Sequence, residues 1–236
     1  MCHSKLIHKL SGHGIGGHLL QWIKSFLSNR TQQTRVGNSL STRVGLTSSV
    51  VQGSVLGPLL FVIFINDVTN GFNNSRCKCK LYADDLKLYT VIEIETDADY
   101  ATLQGKLDEL YAWSDTWQLT ISFKKCNVMF IGSHRSNIDF YLSSNLLPTV
   151  EDTRDLGVII DSDLTFTKHI NSIVSRAYTR ANLIHKCFLS RDVNNLIRAF
   201  IVYVRPMLEY ASCVWSPHHS NKIKQIETIY KTSHGI

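Results

Sequence analysis

Acidic residues are missing from the first quarter of this chain. Residues 1–66 contain neither aspartate nor glutamate, while Lys5, Lys9, Lys24, Arg30, Arg35 and Arg43 stand there with His3, His8, His13 and His18. That absence excludes any carboxylate chemistry ahead of Asp67. What remains is a basic block, which suits a polyanion because each lysine or arginine set against a phosphate releases a counterion, or serves equally as a solvated basic surface. Long apolar runs are missing too. The longest, residues 59–65, falls far short of the roughly 20 residues a bilayer crossing needs, and residues 1–9 are polar, without the apolar centre of a secretory signal. The expectation is a soluble protein, neither secreted nor membrane-spanning. The six cysteines show no disulfide-framework spacing. Cys77 and Cys79 would share one face of a strand, but no second Cys or His pair follows at zinc-ligand spacing, so reduced, intracellular thiols are expected. There is no internal repeat and no low-complexity linker.

Against these absences stand 44% hydrophobic and 10% aromatic residues, enough for a real core, and a net charge of +6. The most informative stretch is CKCKLYADDLKLYTV at 77–91. Leu81, Ala83, Leu86, Leu88 and Thr90 alternate with Lys80, Tyr82, Lys87 and Tyr89 on either side of Asp84-Asp85. A period of two on both flanks predicts two half-buried strands meeting at a tight Ala-Asp-Asp bend. Adjacent carboxylates repel each other. They are explained either as ordinary turn residues, because aspartate bonds its own backbone and tolerates unusual dihedrals, or as ligands of a hard divalent cation that keeps the rest of its shell for water and phosphate.

About thirty residues upstream lies QGSVLGPLLF at 52–61. Gly53 permits close backbone approach, Ser54 is placed to cap a helix starting near Leu56, and Pro58 falls in the first turn. The run 59–65 is apolar all round, which predicts a helix buried on several sides. This segment together with Tyr82-Ala83-Asp84-Asp85 resembles the reverse transcriptases of LINE-type (non-LTR) retrotransposons, in which a QGSxLGPxLF turn and helix precedes a (Y/F)ADD hairpin. The resemblance extends through GIGGHLLQWIKSFLSNRTQ at 14–32 and WQLTISFKKCNVM at 117–129 to nearly the whole chain. Three positions depart from it: Ser49 and Val51 replace Gly and Pro of GVPQG, and Ser122 replaces the Asn of WxLxxNxxKCxVM.

Read in order, the remaining patterns predict a helix over 18–27, a polar hairpin turning at Gly37-Asn38, and a helix over 97–119 with Tyr100, Leu103, Leu107, Leu110, Trp113 and Trp117 in one stripe. Its acidic residues, Asp99 among them, read as a solvated face. A strand at 140–142 and a second over 149–161, with Gly157 inside it, resemble the family's strand pair that closes the palm; a long helix follows past Asp163, on which Arg176 and Arg180 stack one turn apart. Pro206 should kink or end a helix over 194–210, and a last short helix spans 223–230.

The resemblance implies an α+β fold: a partial right-hand polymerase palm, an antiparallel sheet with packed helices, over residues 1–162 with fingers, followed by a helical thumb-like region over 163–236. It implies RNA-directed DNA polymerase activity on an RNA template, a DNA primer and deoxynucleoside triphosphates, with Mg²⁺ or Mn²⁺ held by Asp84 and Asp85. Gln52, Gly53, Ser54 and Tyr82 would face nucleotide and template. Gly157 would lie at the primer end, and Arg176 and Arg180 along the duplex backbone. Lys125 stands either near the triphosphate or as a surface lysine at a strand start. In the family the first catalytic aspartate lies in a segment that would fall ahead of Met1. The expectation is therefore a reverse transcriptase fragment of weak or no activity, with a non-catalytic nucleic-acid-binding remnant as the alternative.

Overall fold

A computed structural model describes residues 1–72, 76–92, 97–132, 138–188 and 192–234. The chain divides into two compact units, the first formed by residues 1–126 with 138–147, the second by 127–137 with 148–236.

The first unit opens with α1 (His3–Gly12) and α2 (Gly17–Leu27). Their three-and-four spacing delivers Leu6 and Leu10 from α1, and Ile23 and Leu27 from α2, to one core with Leu60 and Phe64 of α3 (Leu56–Ile65). Between α2 and α3 lie two nested antiparallel pairs. Strands β1 (Thr31–Gln32) and β4 (Val44–Gly45) enclose β2 (Arg35–Val36) and β3 (Ser39–Leu40), which turn at Gly37-Asn38 as the sequence predicts. A 3-10 turn, Asn66–Phe72, carries α3 into the hairpin of β5 (Lys78–Tyr82) and β6 (Asp85–Tyr89). Helix α4 (Asp97–Trp117), a second 3-10 turn (Phe123–Lys125) and the short pair β7 (Tyr141–Leu142) and β8 (Asn145–Leu146) complete the unit.

Two packing expectations are corrected here. Helix α3 is not buried on several sides: Gly57, Leu60, Phe64 and Ile65 are buried, but Leu59 and Val62 are about half exposed, because α1 and the Asn66–Phe72 turn cover only one stripe of it. Nor is the acidic face of α4 wholly solvated, since the Asp99 side chain is 10% exposed and pairs with Arg76 at 3.4 Å.

A buried lysine ties this unit together. Lys9 donates from Nζ to the Phe64 carbonyl and to Asp67 Oδ1, both at 2.5 Å, and its ammonium lies 3.8 Å from the centroid of Trp117 with Phe64 and Trp113 on its other sides. Trp113 Nε1 donates to the same Asp67 oxygen at 3.1 Å. Burial pushes the lysine pKa down, and Asp67 opposes that shift.

The second unit is a helical bundle with one hairpin, β9 (Asp152–Asp155) against β10 (Val158–Asp161). Helix α5 (Thr167–Cys187) presents His169, Ile170, Ile173, Ala177 and Ile184 inward. These pack with Val158 and with α6 (Val193–Tyr203), α7 (Arg205–Glu209), α8 (Ser212–Trp215) and α9 (Ser220–His234). Pro206 sits in the first turn of α7, and the helical run breaks at Val204 just before it, as a residue lacking an amide hydrogen requires. The mixture of helices with antiparallel pairs makes the fold α+β. Among the described residues the strands form five separate two-stranded pairs and join no larger sheet.

Candidate active site

The β5–β6 hairpin follows the predicted alternation. Cys79, Leu81, Leu86 and Leu88 are half-buried, while Lys78, Lys80, Tyr82, Asp85, Lys87 and Tyr89 are exposed. Strand β5 rests on the Asn66–Phe72 turn, which continues directly from α3. At the foot Cys77 is buried, and burial pushes the thiols of Cys77 and Cys79 upward in pKa. The ladder pairs Tyr82 directly with Asp85. Only Ala83 and Asp84 remain to turn the chain, and Ala83 takes φ +52°, a left-handed conformation that costs a residue with a Cβ free energy. Asp84 and Asp85 are both exposed at this tip, and Tyr82 is 68% exposed beside them.

The loop ahead of α3 is built tightly. Ser54 Oγ donates to the Val51 carbonyl at 2.7 Å and accepts the Gly57 amide at 3.0 Å, so it caps the helix as predicted. Gly57, which sequence reasoning passed over, proves indispensable here: a Cβ on it would stand 2.7 Å from the Val51 carbonyl oxygen. Gly53 has φ +79° with open space around it, so its requirement is conformational, and Gln52 is exposed beside it. Ser49 also lies in the left-handed region, at φ +74°, with its amide bound to the Met1 carbonyl at 2.7 Å and its carbonyl to His3 Nε2 at 2.7 Å. This is the position where the resembled family carries glycine, and the backbone conformation supplies the reason.

Lys125 is exposed, but not at a strand start. It ends the Phe123–Lys125 turn, its amide bound to the Ser122 carbonyl at 2.9 Å, with Phe123 packed on Tyr111 of α4.

In the second unit, Gly157 is not inside a strand but in the two-residue turn Leu156-Gly157 between β9 and β10, at φ +90°. The sequence signal fitted a strand glycine equally well, because Val158 to Asp161 continue the same extended pattern. Arg176 and Arg180 are exposed one turn apart on α5, with Arg176 Nε bound to the Ser172 carbonyl at 3.4 Å. Among the described residues no group of three or more His, Cys, Asp or Glu side chains stands ready for a metal ion. The hard oxygens of Asp84 and Asp85 nonetheless fit the part of a Mg²⁺ shell that protein normally supplies, one or two carboxylates beside water and phosphate.

Residues 1–160 match the family model described as reverse transcriptase (RNA-dependent DNA polymerase), and the chain belongs to that family. It is 30% identical, over 95% of its length, to the RNA-directed DNA polymerase from mobile element jockey of Drosophila funebris. It is 29% identical over 88% of its length to the probable RNA-directed DNA polymerase from transposon X-element, and 28% identical over 88% to that from transposon BS, both of Drosophila melanogaster. These relatives are LINE-type, as the sequence resemblance implies. The chain covers 26%, 23% and 24% of their lengths respectively, about a quarter of each. Reverse transcriptases work with divalent metal ions. No helix among the described residues is long and apolar enough to cross a membrane.

Proposed function

We propose that this chain supplies the palm carboxylates of an RNA-directed DNA polymerase, with Asp84 as principal ligand of a catalytic Mg²⁺ and Asp85 beside it. The observation that carries the reading is the tip of the β5–β6 hairpin, where a left-handed alanine holds two adjacent carboxylates together in the open. The left-handed position itself is ordinary hairpin geometry, shared by Ser143 and Leu156 in the β7–β8 and β9–β10 turns, so what marks this tip is the pair of adjacent carboxylates. Residues 1–162 then serve as fingers and palm, and residues 163–236 as a thumb-like region with Arg176 and Arg180 set toward duplex phosphates. Gln52, Gly53, Ser54 and Tyr82 face the nucleotide and template, Lys125 stands near the triphosphate, and Gly157 lies by the primer end. Asp84 and Asp85 would hold a divalent ion, which would supply neutralisation of the charge developing on the phosphate oxygens. The work of the chain's own residues is to fix two oxygens for it, to seat the template on the 52–54 loop and to hold the primer. The setting is intracellular and reducing, in which Cys77 and Cys79 remain thiols.

The test is Mn²⁺ binding followed by electron paramagnetic resonance. Asp84→Asn and Asp85→Asn should each weaken it by at least about tenfold, as loss of a ligand to a metal does. Affinity unchanged in both variants would overturn the assignment. Duplex binding that persists in those variants without any metal effect would favour the second reading, a non-catalytic nucleic-acid-binding module, which the exposed Arg176 and Arg180 support.

A further inference from the structure

Residues 1–3 grip the approach to the 52–54 loop. The Ser49 amide donates to the Met1 carbonyl at 2.7 Å, and the Ser49 carbonyl accepts from His3 Nε2 at 2.7 Å. Between these two bonds Cys2 and Ser48 form an isolated antiparallel bridge. A carbonyl can only accept, so the imidazole carries its hydrogen on Nε2. Both backbone groups of Ser49 are thereby taken, and Ser49 sits at φ +74°, a conformation that persists where the surroundings over-determine it. One position on, Val50 packs against the core shared by α1, α2 and α3. Past it, the Ser54 hydroxyl binds the Val51 carbonyl and the Gly57 amide. The loop is fixed on both flanks, and Gln52 and Gly53 stand exposed between them. On the far flank the serine caps a helix, as any helix start requires. The histidine bond has no such duty: it reaches 46 positions along the chain from the first residue of α1, and what it orders is the loop.

We propose that His3 is a positioning residue for nucleotide binding, holding Gln52 toward the incoming deoxynucleoside triphosphate by fixing the Ser49 carbonyl. The inference rests on the polymerase reading and deepens it, since it adds a side chain of α1 to the support of the 52–54 loop. His3 acts through Ser49 and takes no part in bond making.

Fluorescence anisotropy tests it, with the full 236-residue chain, an RNA·DNA primer–template hybrid whose primer ends in a dideoxynucleotide, Mn²⁺ and a fluorophore-labelled deoxynucleoside triphosphate. His3→Leu should weaken nucleotide binding by roughly three- to tenfold, the worth of one hydrogen bond, while affinity for the hybrid keeps its wild-type value. His3→Gln, whose amide donates from near the same point, should bind nucleotide as the wild type does. In a Gln52→Ala background His3→Leu should add no further loss, because a residue acting through Gln52 then has nothing left to position. Unchanged nucleotide affinity in His3→Leu, equal losses in the leucine and glutamine variants, additive losses in the double variant, or a parallel loss of hybrid affinity would each overturn the positioning role while leaving the polymerase reading intact. Failure of the wild-type chain to bind the nucleotide on the hybrid would overturn both.

Discussion

Tyr210 donates its hydroxyl to the Leu156 carbonyl at 2.9 Å, and its ring lies 3.2 Å from where a Cβ on Gly157 would stand. The β9–β10 turn is thus held by one tyrosine, which fits closely only because position 157 lacks a side chain. Gly157→Ala should destabilise the second unit by roughly 1–3 kcal/mol, combining a φ of +90° with the clash. Adding Tyr210→Ala should recover only the steric part, because the backbone strain remains. Chemical denaturation of the single and double variants measures both. If Gly157→Ala instead leaves stability untouched and impairs only primer binding, the turn owes its glycine to the ligand and not to Tyr210.

Ser49 at φ +74° holds a conformation that glycine adopts without steric cost. Ser49→Gly should stabilise the chain by roughly 0.5–1 kcal/mol, the relief of left-handed strain less the extra freedom of glycine in the unfolded state. Urea midpoints decide it, and a lowered midpoint would show that the serine hydroxyl contributes more than the strain removes.

How much of this was legible in the residues depends on the range of the interaction. The β5–β6 hairpin, the Ser54 cap and the break before Pro206 are set by neighbours within a few positions, so period, capping chemistry and a missing amide hydrogen reveal them. The exposed stripe of α3 was not legible, because an all-apolar helix carries no periodic sign of which side its neighbours cover. The turn at Gly157 is explained by Tyr210, more than fifty positions away, and Lys9 finds Asp67 across a similar gap. At the candidate site the dyad announced itself by its own repulsion. The role of Gly57 did not, since it arises from one backbone oxygen folding back over the helix start.

Lys9 is the only buried lysine among the described residues, and Asp67 receives both its ammonium and the Trp113 indole. Lys9→Met keeps the stem inside the ring of Phe64, Trp113 and Trp117 but leaves Asp67 short of a cation. Removing one partner of a buried pair costs 3–5 kcal/mol. The Asp67 side chain is 30% exposed and keeps its indole donor, so about 2–3 kcal/mol is expected. The double variant Lys9→Met with Asp67→Leu should regain much of that loss, because replacing both charges removes the uncompensated one. Equal instability of single and double variants in a denaturant series would show that the aromatic box, not the ion pair, holds α1 in place.

His169 sets the pH response of the second unit. It is 2% exposed, its Nδ1 accepts the Ile159 amide at 3.2 Å, and its Nε2 has no hydrogen-bond partner among the described residues. The Trp215 ring lies edge-on at 5.1 Å. Burial first, then the charges of Arg176 and Arg154, push its pKa below the ordinary value near 6.5. A proton on Nδ1 would also displace the Ile159 amide. The unfolded chain therefore binds a proton at a higher pH than the folded one does. Stability from this group is fully present above about pH 6.5 and declines as pH falls below it, until the folded histidine also titrates. His169→Gln keeps an acceptor for Ile159 but cannot titrate, so its melting temperature should change less than that of the wild type between about pH 7.5 and pH 5.5. Identical pH profiles for the two would show that His169 does not govern the acid sensitivity of this unit.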